Sequence, residues 1–160
     1  MSTQIRSFVL SISDTRSSEN DVSGDELAKL LWSFGADVIG KLIVSDDLDD
    51  IRNTLHVLTE REDVNLILTT GGTGFAPRDN TPEATRSVID REAAGIAEAM
   101  RRETSGKTPM SMLSRGIAGI RNQTLIINLP GSPNGVVECF NVIRPILQHA
   151  IDQICGQTKH

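Results

Sequence analysis

The sequence predicts a three-layer α/β/α fold built on a mainly parallel sheet. Three observations predict it: short apolar runs that read as buried strands, amphipathic stretches of helical period between them, and turns rich in Gly, Ser, Thr, Asp or Pro after the strand ends. Parallel neighbours need crossover connections, so alternating strand and helix puts helices on both faces of the sheet.

Phe8 to Ile12 is the first apolar run. Leu27, Leu30, Leu31 and Phe34 then recur at i, i+3, i+4 and i+7 and stop at Gly35, the pattern of an amphipathic helix with a glycine stop. Val38 to Val44 reads as the second strand, and Leu48, Ile51, Leu55 and Leu58 as a second helical stripe. Leu66 to Leu68 is the third strand. Thr81 ahead of Pro82 and Glu83 predicts an N-cap with proline at the first helical position, and a helix through Ile89 and beyond. Leu125 to Leu129 is the fourth strand. Val136 to Ile154 is a long helix with Phe140, Ile143, Leu147, Ile151 and Ile154 on one face, which Pro145 is expected to kink or divide. Thr104 to Asn122, with Ser, Thr, Gly and a lone Pro109, shows no readable period.

A length of 160 residues suits one domain, residues 1–160, with a core that needs neither disulfides nor a structural metal. Nothing approaches the roughly 20 apolar residues of a membrane span, and MSTQIRS leads straight into FVLSIS without a leader pattern. A soluble cytoplasmic protein with no membrane partner is therefore expected. Cys139 and Cys155 both fall in the last helical stretch and read as reduced thiols. A net charge of -5 and the absence of tyrosine argue against nucleic-acid binding, which needs a basic face and stacking platforms.

Ligands of such sheets sit at the carboxyl ends of the strands. Four segments are expected to converge there: Ser13 to Ser18, Ser45 to Asp47, Thr69 to Asp79 and Pro130 to Asn134. Gly71-Gly72-Thr73-Gly74 lacks the lysine of a P-loop, and Pro77 stands where a dinucleotide fingerprint needs its third glycine. What remains is a bare backbone that takes positive φ and lets a phosphate approach its N–H groups. Asp46, Asp47 and Asp79 each suit a helix start. Brought to one rim beside that loop, paired acids suggest a magnesium site. A phosphorylated receiver domain is set aside, because Thr69-Thr70-Gly71 stands where its acceptor aspartate belongs.

Other conspicuous residues take plainer readings. His56 and His149 are surface or packing residues, and terminal His160 is expected to be disordered. Trp32, Met100, Met110 and Met112 suit a core or a subunit interface better than a ligand contact. Arg101-Arg102 reads as a solvated helix end. Arg78 and Arg115, placed in loops of the expected site, are phosphate-contact or salt-bridge candidates.

Three stretches, SISDTRSS, LTTGGTGFAPRDNTPEAT and MLSRGIAGIRNQTLIINLPGSPNGVVEC, together resemble the MogA/MoaB family, including its molybdopterin adenylyltransferases and the G domain of gephyrin. The resemblance runs in the same order over nearly the whole chain. It implies a MogA/MoaB-like fold, commonly trimeric, and Mg2+- and ATP-dependent adenylylation of molybdopterin with release of pyrophosphate. It also implies Asp46 and Asp79 as the catalytic, magnesium-holding pair. Gly71, Gly72, Thr73 and Gly74 match the nucleotide loop, and Ser13 and Asp14 its first-loop neighbours. Thr104 and Ser114 match phosphate-contacting hydroxyl positions, and Asn128, Pro130, Gly131 and Ser132 the ligand-pocket turn. The chain departs from the family where Ser45-Asp46-Asp47 lacks a proline and where Thr104 replaces a serine. With no insertion domain in the chain, handover to a separate molybdate-insertion protein is implied. The alternative within the family is a non-catalytic trimer that binds molybdopterin as a scaffold.

Overall fold

The computed structural model describes residues 1–157, so His160 lies outside the described residues. Its elements are β1 (Arg6–Ile12), α1 (Val22–Phe34), β2 (Asp37–Val44), α2 (Leu48–Thr59), β3 (Leu66–Thr70), α3 (Thr81–Val88), β4 (Arg91–Glu92), α4 (Ala94–Thr104), a 3-10 turn (Pro109–Leu113), β5 (Ala118–Arg121), β6 (Thr124–Leu129) and α5 (Pro133–Ile154). The sheet order is β2-β1-β3-β6-β5-β4. β2, β1, β3 and β6 run parallel, whereas β5 is antiparallel to β6 and to β4. The chain leaves β1 for neighbours on opposite sides, which opens a crevice between the ends of β1 and β3.

Alternating side chains divide the core in two. Val9, Leu66, Leu68, Leu125, Ile127 and Leu129 face α1 and α5, and Leu27, Leu31, Phe140, Ile143, Leu147 and Ile151 close that layer. Leu10, Ile12, Ile67 and Ile126 face α2 and α3, where Ile51, Leu55, Ala84 and Val88 meet them. Each such side chain, fully withdrawn from water, contributes roughly 1.5–3 kcal/mol.

Helix ends obey local chemistry. Buried Asp21 caps α1 by accepting from the Gly24 N–H at 3.1 Å, and Gly35 ends the helix at φ 98°. Asp47 caps α2 by accepting from Asp49 and Asp50. α3 differs from expectation at both ends. Its cap position is Asn80, Thr81 is already helical with Pro82 second, and the helix stops at Val88 because Ile89 turns extended at ψ 146°. The Thr81 hydroxyl donates instead to the Gly71 carbonyl, at 2.9 Å. α5 begins at Pro133 behind its cap Ser132 and is not divided at Pro145. Cys139 and Cys155 are free thiols, and burial pushes the Cys139 thiol up to about 11.

Of the core and interface positions open to Trp32, Met110 and Met112, the core is excluded: they are 77%, 63% and 71% exposed. Only Met100 is buried. No helix among the described residues is long and apolar enough to cross a membrane.

Candidate functional site

The loop after β3 is shaped by two left-handed glycines, Gly71 at φ 104° and Gly72 at φ 67°. Side chains would not fit: a Cβ on Gly71 would collide with the Ile12 carbonyl, and one on Gly72 with the Thr81 hydroxyl. The loop is held from outside by Arg115, whose N–H donates to the Thr73 carbonyl at 2.8 Å. Its guanidinium donates to the carbonyls of Gly74 at 2.8 Å and Asp79 at 2.7 Å, and pairs with Glu83. Of the two roles considered for Arg115, the salt bridge is present, in its pairing with Glu83.

Three acids stand around this loop. Asp14, after β1, and Asp46, after β2, clasp each other: Asp14 N–H donates to Asp46 Oδ2 at 2.9 Å, and Asp46 N–H donates to Asp14 Oδ1 at 3.0 Å. Arg78 adds a fork on Asp14, from Nε at 2.7 Å and Nη2 at 3.0 Å. The fork holds the Asp14 carboxyl at about 2, below its ordinary 3.8. Asp46 moves the other way, pushed up chiefly by burial and further by the charges of Asp14 and Asp79. Its main-chain carbonyl accepts from Asn80 Nδ2 at 3.0 Å. Asp79 Oδ2 accepts from the Ala76 N–H at 2.9 Å, and a Cβ on Gly74 would lie 2.9 Å from that oxygen. Ser13 turns its own loop, its Oγ accepting from the N–H groups of Thr15 and Arg16.

The remaining sequence candidates gather on the other side of the β6 turn. Thr104, Ser114, Asn128, Pro130 and Ser132 line a largely apolar cavity with Met100 and Met110. Buried Asn128 is a brace within it, donating from Nδ2 to Thr69 and Thr85 hydroxyls at 3.0 Å each and accepting from Ile117 N–H. The Thr104 hydroxyl donates to the Met100 carbonyl at 2.6 Å. Ser132 Oγ accepts from the Gly135 N–H at 3.1 Å. Gly131 joins the two half-sites, since its Cβ position lies 3.4 Å from the Gly71 Cα. Its carbonyl accepts from Arg16 Nη2 and Ser23 Oγ, both at 2.6 Å.

Arg16, Ser23, Asn80 and Arg101 carry structural roles the sequence reading did not assign. Arg101 is no solvated helix end, because its Nη1 donates to the carbonyls of Ser114 at 3.3 Å and Gly116 at 2.8 Å. No local motif marks such contacts; Arg16 reaches across 115 positions of chain.

Among the described residues no three His, Cys, Asp or Glu side chains form a ready metal cage. Two partly buried acids beside a bare glycine loop still suit a hard cation whose shell is completed by phosphate and water.

The "Probable molybdopterin binding domain" family model matches residues 8–149. The molybdopterin adenylyltransferase of Helicobacter pylori J99 is 39% identical over 155 residues, covering 92% of this chain and 86% of that protein. The Drosophila melanogaster molybdenum cofactor synthesis protein cinnamon is 46% identical over 91% of this chain, which spans only 25% of its length. Among solved structures, MoaB from Thermus thermophilus superposes with a TM-score of 0.88 at 42% identity, covering 96% of this chain and 98% of that one. The Mog protein of Mycobacterium ulcerans gives 0.88 at 41% identity, covering 97% and 100%. A crevice with a left-handed glycine loop, an acidic rim and a cavity beyond the β6 turn thus comes with a family match over most of the chain, and the protein belongs to the MogA/MoaB family of molybdopterin-binding domains.

Proposed function

We propose that the chain is a molybdopterin adenylyltransferase, which joins the adenylyl group of ATP to the terminal phosphate of molybdopterin in molybdenum cofactor biosynthesis. The observation that carries this reading is the close approach of the Gly131 turn to Gly71, where an added Cβ would meet the Gly71 backbone, so that the bare glycine loop stands against a largely apolar cavity. Two anionic substrates can meet there, one from each side. The Helicobacter relative's name points to the same chemistry.

In this reading a phosphate oxygen of molybdopterin attacks the α-phosphorus of ATP. A new P–O–P linkage forms, the α–β linkage breaks, and pyrophosphate leaves with the electron pair. A phosphate monoester has a second pKa near 6 and is largely dianionic at neutral pH, so no side chain need remove a proton. Positioning and charge stabilisation are the remaining tasks. We assign the N–H groups of Gly71 to Gly74 to phosphate oxygens, with Ser13 and Asp14 framing the adjacent loop. Thr104, Ser114 and the Pro130–Ser132 turn border the pterin side. Asp46 and Asp79 are assigned to hold magnesium, which when bound supplies positive charge to offset the converging phosphates. The charges of Asp14 and Asp79 bear on Asp46 at this rim, and a bound cation would offset that repulsion.

The same reading places the protein in the cytoplasm as a homotrimer that passes its product to a separate molybdate-insertion protein. Light scattering tests the trimer, and a stable monomer counts against it. The activity is tested by transfer of α-labelled phosphate from ATP to molybdopterin, with and without magnesium. Label transfer that needs the metal supports the assignment; molybdopterin binding without transfer makes the chain a scaffold instead.

A further inference from the structure

Three loops meet in one clasp at the carboxyl end of the sheet. The Asp14 carboxylate accepts from Asp46 N–H, Arg78 Nη2 and Arg78 Nε, all donors of the protein itself. In return the Asp14 N–H holds Asp46 Oδ2. Asp46 Oδ1 remains on the side of the bare Gly72 backbone, 3.4 Å from where a Cβ would stand. Among the described residues the Arg78 guanidinium hydrogen-bonds to Asp14 alone.

We propose that Arg78 is a positioning residue that acts through Asp14, fixing Asp46 with one oxygen presented to the cation and phosphate side of the glycine loop. The proposal rests on the role of Asp46 as a cation ligand proposed above. Its physical basis is charge. Two carboxylates this close repel, and a bidentate guanidinium neutralises one while leaving the other negative. The neutralised Asp14 can then orient Asp46 through both of its hydrogen bonds. A lysine supplies the charge but not the planar fork, so it substitutes only in part. The competing role, direct contact of Arg78 with a substrate phosphate, needs the guanidinium to leave Asp14, and then Asp14 and Arg78 act independently.

The test is a double-mutant cycle of Arg78→Ala, Asp14→Ala and the pair, with Arg78→Lys alongside; Asp14→Asn replaces Asp14→Ala if that variant does not fold. Two readouts are taken. Mn2+ binding is followed by electron paramagnetic resonance with a non-hydrolysable ATP analogue present, and exchange of the Asp46 amide by NMR in the ligand-free protein. Arg78→Ala is expected to weaken Mn2+ binding about 10–100-fold, the usual effect of removing a partner that orients a metal ligand, and to speed exchange at Asp46. Arg78→Lys is expected to fall between, and the double variant to be no worse than Asp14→Ala alone. Additive losses, with Asp46 exchange unchanged by Arg78→Ala, overturn the proposal. If the wild type holds no Mn2+, the cation reading of Asp46 fails separately. The exchange arm then decides the clasp: unchanged protection of Asp46 in Arg78→Ala overturns it.

Discussion

Arg115 fastens the glycine loop to α3: its Nε donates to the Gly74 carbonyl at 2.8 Å, and its remaining nitrogens reach the Asp79 carbonyl and the Glu83 carboxylate. The loop's shape therefore depends on a residue 41 positions away. Charge-assisted hydrogen bonds of this kind contribute roughly 1.5–3 kcal/mol each where they are not solvated. The Arg115 side chain is 35% exposed, which puts the expected loss for Arg115→Ala near the low end, about 1–3 kcal/mol in total. Thermal denaturation is expected to show a fall of about 2–4 °C per kcal/mol. Adenylyl transfer is expected to drop more steeply than stability, with Arg115→Lys intermediate. Unchanged transfer in Arg115→Ala would show that the loop keeps its shape unaided.

Glycine is required at Gly71 for two separate reasons, the left-handed φ of 104° and the backbone oxygen of Ile12 where a Cβ would stand. The conformation alone costs a non-glycine residue roughly 1–2 kcal/mol, and the collision must be relieved by moving the end of β1. Gly71→Ala is expected to lower stability by more than that and to abolish transfer. Gly95, exposed in α4 with nothing within 4 Å of its Cβ position, is the contrast. There an alanine is expected to raise stability by up to about 1 kcal/mol, as helix propensity dictates. Denaturant titration of the two variants checks both signs at once.

The contrast also shows what could be read in advance. β1, β3 and β6 are legible because strands buried on both faces are nearly continuous apolar runs. β2 carries a similar apolar run, Val38 to Val44, but it is an edge strand of half-buried and exposed residues rather than a buried one. β4 is two exposed residues, Arg91 and Glu92, and carries no pattern at all. β5 hides in a glycine-containing stretch, although Asn122 at φ 53° is a turn signal for the hairpin that joins it to β6. The glycine loop and both aspartates are visible in the chain as residue types. Their fastening by Arg115, Asn80 and Arg78 is not, because each contact spans 32 to 64 positions and follows only from the crossover topology. Thr81 was readable as a helix start, but its hydroxyl is drawn away from capping by the Gly71 carbonyl.

Asp46 is expected to trade stability for chemistry. Its pKa is raised chiefly by burial, so the folded state binds the Asp46 proton more tightly than the unfolded chain does. Such a group contributes stability that is fully present below 3.8, its ordinary value, and is lost as pH rises through the folded value. At neutral pH the ionised carboxylate therefore costs stability. Asp46→Asn keeps an oxygen for the Asp14 N–H and loses the charge, so the ligand-free variant is expected to melt higher than wild type at pH 7 and to transfer little or no label. The melting gain is expected to shrink as pH falls toward 3.8. A lower melting temperature at pH 7 would contradict the argument, and wild-type turnover would remove Asp46 from the site.

Asp14 has the opposite sign. The Arg78 hydrogen bonds, with help from the Asp46 N–H, hold its carboxyl at about 2 against an ordinary 3.8. A depressed carboxyl contributes stability that is present above 3.8 and lost as pH falls through about 2, so the clasp is intact at neutral pH and titrates away only in strong acid. Carbon-13 NMR of the side-chain carboxyls is expected to find the Asp14 midpoint near 2 in the wild type. In Arg78→Ala it is expected to move upward, since the largest cause of the depression is gone. In Arg115→Ala it is expected to stay in place, because Arg115 makes its contacts with Gly74, Asp79 and Glu83 instead. A midpoint that ignores Arg78→Ala would mean that the guanidinium fork does not govern the charge on Asp14.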